Sequence, residues 1–125
     1  MVVDIRNALI KLARLRRTET YTWLNNELGM SLNFDNGHDR GLIGDWLGEV
    51  SEHEHEQDRP LLSALITHKN GKREQGDGFY KLCEEIYNIP WEDLKRDKKW
   101  ENKGIARCFE FWLHKGNFAR FKNDF

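Results

Sequence analysis

The run Asn70-Gly71-Lys72-Arg73-Glu74-Gln75-Gly76-Asp77-Gly78, followed at once by Phe79 and Tyr80, brings together residue types that can hold an anion. Glycines let backbone N–H groups converge. The run also feeds a predicted helix, whose N-terminus carries partial positive charge. Lys69, Lys72 and Arg73 add cations, and Arg59 approaches from the far end of the preceding segment. Cations, converging amides and a neighbouring ring are what a phosphate-bearing ligand with a stacked base requires. The predicted binding set is therefore Arg59, Lys69, Lys72, Arg73, Gly76, Gly78 and Tyr80. The spacing matches neither the P-loop nor the dinucleotide fingerprint. The competing reading is a solvated loop in which Asp77 caps the following helix.

A second set lies in Glu49-Val50-Ser51-Glu52-His53-Glu54-His55-Glu56. On a helix, Glu49, Glu52, His53 and Glu56 share a face. Glutamate and histidine at such spacings can ligate a divalent metal that activates water. This reading would make the chain a metal-dependent hydrolase or nuclease, with His68 moving the proton. The run matches neither H-E-x-x-H nor its inverted form, and it sets carboxylates at a helix C-terminus, where negative charge is unfavourable. The plainer reading is a solvated acidic face that pairs with the basic first helix. Ser63 has no G-x-S-x-G elbow. Thr67 stands where a nuclease of the D…(D/E)-x-K type would need an acid ahead of Lys69. No catalytic signature is complete and no cofactor motif is found, so the balance is toward a protein that binds rather than converts.

The elements that must position these residues are mostly helical. Ile5, Ala8, Leu9, Leu12 and Leu15 predict an amphipathic helix from Asp4 to Arg16, made basic by Arg6, Lys11, Arg14, Arg16 and Arg17. A second helix spans Thr20 to Leu28, with Gly29 as its C-terminal cap and Asn36-Gly37 as a turn beyond it. A third follows Asp39 as N-cap and carries Leu42, Ile43, Trp46, Leu47 and Val50. Gly41, Gly44 and Gly48 form a separate stripe on it, at roughly 1 kcal/mol each relative to alanine. Close packing against another helix or chain would offset that loss, and so would a ligand lying against the glycine face.

Leu61-Leu62-Ser63-Ala64-Leu65-Ile66 reads as a short buried strand, and Asn70-Gly71 as a turn toward an edge strand at Lys72–Gln75. The fourth helix covers Gly78–Tyr87 and stops before Pro90. A single turn at Trp91–Lys95 precedes a fifth helix, capped by Asp97 and ending at Gly116. Phe118, Phe121 and Phe125 then recur at helical intervals in a tail that should dock on the core. The expected fold is α+β, mostly α: one domain over 1–125, with about five helices and one short strand or hairpin between the third and fourth.

Of the 125 residues, 38% are apolar and 33% charged, wetter than average, yet five Trp, seven Phe and three Tyr supply core area. The net charge of −1 gives no general pull toward nucleic acid or membrane. Cys83 and Cys108 lack ligand spacing and read as buried thiols. The N-terminal residues lack a secretory h-region and no run has membrane-spanning length, so a cytoplasmic location is expected.

From Gly48 to Tyr87 the chain runs from an acidic helix into Arg59-Pro60-Leu61-Leu62-Ser63-Ala64-Leu65-Ile66, then Lys69 and Gly76-Asp77-Gly78-Phe79-Tyr80. Phe109-Glu110-Phe111-Trp112 follows on a later helix. This layout resembles small uncharacterised proteins of bacteria and their phages, a resemblance that implies no activity and no site. The functional expectation is a small non-enzymatic binding module for a phosphate-bearing, nucleotide-like ligand. The alternatives are a protein-interaction or homo-oligomeric module, and the metal-dependent hydrolase.

Overall fold

The computed structural model describes residues 1–68 and 77–125. The α+β, mostly helical class holds, with seven α-helices among the described residues where five were expected. They are α1 (Val2–Arg14), α2 (Tyr21–Glu27), α3 (Gly37–Glu56), α4 (Asp77–Tyr87), α5 (Trp91–Arg96), α6 (Lys98–Leu113) and α7 (Lys115–Phe121). The two extra helices come from the turn after Pro90 and from the phenylalanine tail. Their apolar residues had the right spacing, but neither segment reaches the length at which periodicity is distinctive.

The main core forms where α1 packs on α3, α6 and the segment after Pro60. Ile5, Leu9 and Leu12 of α1 meet Ile43, Leu47 and Val50 of α3 and Ile105, Cys108 and Trp112 of α6. A smaller cluster joins Leu61 to Tyr80 and Cys83 of α4 and Leu94 of α5, with Trp91 and Trp100 at its edge. Both cysteines are unpaired and buried, and burial pushes each thiol up to about 12. No helix among the described residues is long and apolar enough to cross a membrane.

The Leu61–Ile66 strand is corrected. Leu62–Leu65 is a 3-10 turn, and only Ile66–Thr67 (β2) is extended. It pairs in parallel with Glu19–Thr20 (β1), with Glu19 opposite Ile66 and Thr20 opposite Thr67. The segment is buried throughout, and a longer strand enclosed by helices would have found no neighbour for its backbone groups. The tight turn satisfies some of them locally, as in Ala64 N–H to the Leu61 carbonyl at 3.2 Å. The second strand expected at Lys72–Gln75 lies outside the described residues.

Two helix caps also differ from those expected. Asn36, not Asp39, caps α3, its side-chain oxygen accepting from His38 N at 2.8 Å. Asp39 accepts instead from Asn33 N at 2.9 Å and closes the preceding loop. Gly116 does not end α6. His114 breaks the helix and caps α7, its Nδ1 accepting from Asn117 N at 3.3 Å. The cap read at Gly29 holds: with φ of +58° it lets Met30 N–H reach back to the Asn25 carbonyl at 3.0 Å.

Candidate functional site

A cleft of about 1030 Å³ lies between α3 and the start of α4, closed at one end by the β1–α2 junction. Its α3 wall begins with Gly41, Gly44 and Gly48. A Cβ placed on any of the three meets no described atom within 4 Å. The close-packing explanation for the glycine stripe therefore finds no partner among the described residues. The stripe leaves a strip of bare helix backbone along the cleft. Beside it stand Asp45, Glu49 and Glu52, which follow the same face at helical spacing.

The opposite wall is the first turns of α4, with Asp77, Gly78, Phe79, Lys81 and Leu82. Lys95 reaches over from α5 and donates to Asp77 Oδ1 at 2.6 Å. That hydrogen bond, helped by the charges of Lys95, Lys81 and His68, holds the Asp77 carboxyl below its ordinary value against the opposing effect of burial. Tyr21 and Phe34 supply ring surface at the far end. The exposed His68 lies against Tyr21 with ring centroids 5.5 Å apart. At the base, the Ser51 and Ser63 hydroxyls are 2.5 Å apart, and Ser63 N donates to Ser51 Oγ at 3.1 Å. This ties α3 to the 3-10 turn beneath the cleft. It also occupies Ser63 as a structural partner.

The predicted binding set is divided. Gly78 lines the cleft. Tyr80, one residue further along α4, faces inward and is fully buried in the smaller core, so Phe79 is the ring presented to the cleft. Lys69, Lys72, Arg73 and Gly76 lie outside the described residues. Arg59 is buried elsewhere. Of the predicted metal set, Glu49 and Glu52 line the cleft, whereas His53 turns toward residues 124 and 125 and Glu56 is exposed at the end of α3. Among the described residues no cluster of three or more His, Cys, Asp or Glu side chains is placed to hold a metal.

Arg59 belongs to a second polar region on the far side of α3. Glu54, with no exposed surface, accepts from Arg6 Nε at 2.7 Å and from Arg59 Nε on its other oxygen. Both guanidinium groups then reach the last residues of the chain. Arg6 donates to the carbonyls of Phe121 and Lys122, each at 2.9 Å. Arg59 donates to Asp124 Oδ2 at 2.8 Å and to the Asp124 carbonyl at 3.1 Å. His53 Nε2 lies 3.0 Å from that same carbonyl. The Arg6 group also sits over the rings of Trp112 and Phe125.

Sequence reasoning passed over Arg6 and Glu54 as site residues, although a signal was present. Glu54 continues the apolar series Ile43, Leu47, Val50 at the next helical step, and Arg6 starts the series Leu9, Ile10, Ala13. A charge on an apolar stripe is a buried charge, and buried charges are paired.

Comparison with protein-family models, curated proteins and solved structures finds no match to this chain.

Proposed function

We propose that the chain is a non-enzymatic, cytoplasmic binding module whose α3–α4 cleft seats a phosphate-bearing, nucleotide-like ligand. The observation that carries this reading is the glycine floor. Three helical glycines each lower helix stability by roughly 1 kcal/mol relative to alanine, and no described atom occupies the space they leave. A flat ring system can lie on that strip with Tyr21, Phe34 and Phe79 at its edges. Among the described lining residues Asp45, Glu49, Glu52, Asp77 and Glu85 outnumber Arg40, Lys81 and Lys95. The ligand must therefore offer hydrogen-bond donors as well as an anion. Base amino groups and sugar hydroxyls suit the acids of α3, and a phosphate suits Lys81 and the backbone amides at the start of α4. The unpaired thiols accord with a reducing compartment.

The test is a thermal-shift and calorimetric panel of nucleoside mono-, di- and triphosphates against the parent chain and Gly44→Leu. A true ligand at a hundred times its dissociation constant stabilises the parent by about 2.7 kcal/mol. Gly44→Leu fills the floor, so its response should vanish while its own melting stays cooperative. A parent that ignores the whole panel rules the reading out.

The size of the cleft favours one alternative, since small-ligand pockets run to roughly 1,000 Å³. A helix of a protein partner, including a second copy of this chain, would lie against the glycine strip. A mass that rises with concentration, and returns to monomer in Gly44→Leu, would identify it. Among the described residues no group of three or more His, Cys, Asp or Glu side chains is placed to hold a metal, and no observation favours the metal-dependent hydrolase.

A further inference from the structure

The buried cluster behind α3 is independent of the cleft. Arg6, Glu54 and Arg59 are 1%, 0% and 4% exposed, and the three side chains sum to one positive charge. Each arginine uses its Nε–H on Glu54 and points its Nη groups at residues 121–124. Four oxygens of that segment occupy the Nη edges, one of them the carboxylate that balances the charge. The arginines are held from behind and presented as paired forks, the geometry with which guanidinium groups bind carboxylate and phosphate.

The segment filling this edge docks from the surface, with Phe118 and Phe121 against the core and Asn117 donating to the Phe111 carbonyl at 3.0 Å. α7 has seven residues and none is buried. It hangs from α6 by the single extended residue His114. The side chain of Asp124 is 49% exposed although its partner Arg59 is 2% exposed. Seven residues do not sustain a helix unaided, so α7 and residues 122–125 hold their place only by docking, and local opening uncovers the edge. Once they leave, two guanidinium groups face one carboxylate. Their Nη edges are then open, two cations against the single Glu54 carboxylate, in a shape that suits an oxyanion.

We propose that Arg6 and Arg59, braced by Glu54, form an oxyanion receptor that the chain's own residues 121–124 occupy, and that a carboxylate- or phosphate-bearing ligand binds there in place of Asp124. The receptor is a second binding site, on the opposite side of α3 from the cleft.

The test uses the full chain carrying Asp124→Ala, which removes an exposed carboxylate and leaves the core intact. Inorganic phosphate and acetate are titrated separately at constant ionic strength. Melting and the NMR signals of the arginine Nε–H groups are followed in the variant and the parent. The receptor predicts that Asp124→Ala melts below the parent, that an oxyanion restores most of the difference in a saturable manner, and that the Arg59 Nε–H signal shifts with the same midpoint. The parent, already occupied, should respond far less. Restoration by phosphate alone assigns a phosphate-bearing ligand, and restoration by acetate as well assigns a carboxylate. An equal response of parent and variant, or no response of the variant, overturns the proposal.

Discussion

The two sides of α3 meet solvent in opposite ways. Toward the cleft the helix shows Gly41, Gly44 and Gly48, whose missing side chains leave space that no described atom fills. On the far side it shows Glu54, enclosed by two arginines and the end of the chain. The first face gives up helix propensity and gains no contact within the described fold. The second gives up the hydration of three charges and regains stability only while every partner is in place. A stretch that weakens a helix without a gain among the described residues points to a contact beyond them, and a ligand is one such contact. A fully satisfied buried network points first to the architecture, and only its outer edge to a ligand.

The largest effect should come from breaking the enclosed side. Glu54→Ala leaves two buried guanidinium groups without their carboxylate and should lower stability by about 3–5 kcal/mol in a urea titration. That is a large share of the roughly 5–15 kcal/mol a domain possesses. A loss below about 1 kcal/mol, the range of exposed pairs, would mean that the cluster is open to water. The glycine side should answer with the opposite sign. Gly44→Ala meets open space and should raise stability by up to about 1 kcal/mol. Destabilisation there would show that the strip is already in contact with another part of the protein.

The smallest expected effect is in acid. Arg59 hydrogen-bonds Asp124 and holds its carboxyl below the ordinary value, with added attraction from His53 and Arg6. A depressed carboxyl contributes stability in full above its unfolded value, and that contribution disappears as pH falls through the folded value. Asp124→Asn should therefore lower stability at neutral pH and flatten its decline in acid. Denaturation curves at pH 7 and across the acid limb would show both. A variant that tracks the parent over the whole range would place Asp124 free in water.

Much of the frame was legible. The apolar series of α1, α3, α4 and α6 follow one helical period over ten or more residues, where the pattern is hard to mistake. Asp97 and Gly29 act as caps through local geometry alone: Asp97 Oδ1 accepts from Trp100 N at 3.1 Å, and Gly29 adopts the left-handed conformation. The segment Leu61–Ile66 was misread because an apolar run of six has no period that separates a strand from a tight turn. What made it a 3-10 turn was enclosure by α1, α3 and α6. The sequence offers both Phe79 and Tyr80 as the ring beside the loop, and the predicted set takes Tyr80; adjacent helical residues point about 100° apart, and only packing shows that Tyr80 is the one facing inward.

By itself the sequence determined the helical class, the caps at Gly29 and Asp97, the burial of both cysteines and the presence of a glycine stripe with no local justification. Each rests on residues within a turn or two of one another, where backbone geometry and side-chain period suffice. The tertiary structure decided that the stripe opens onto a cleft, that His53 meets the Asp124 carbonyl and the Phe125 ring, and that Arg6, Glu54, Arg59 and Asp124 converge. Arg6 and the carbonyl of Lys122, 116 positions apart along the chain, meet at 2.9 Å. Partnerships at that range are chosen by how helices pack and which charges can be left without water, and no local pattern encodes that choice.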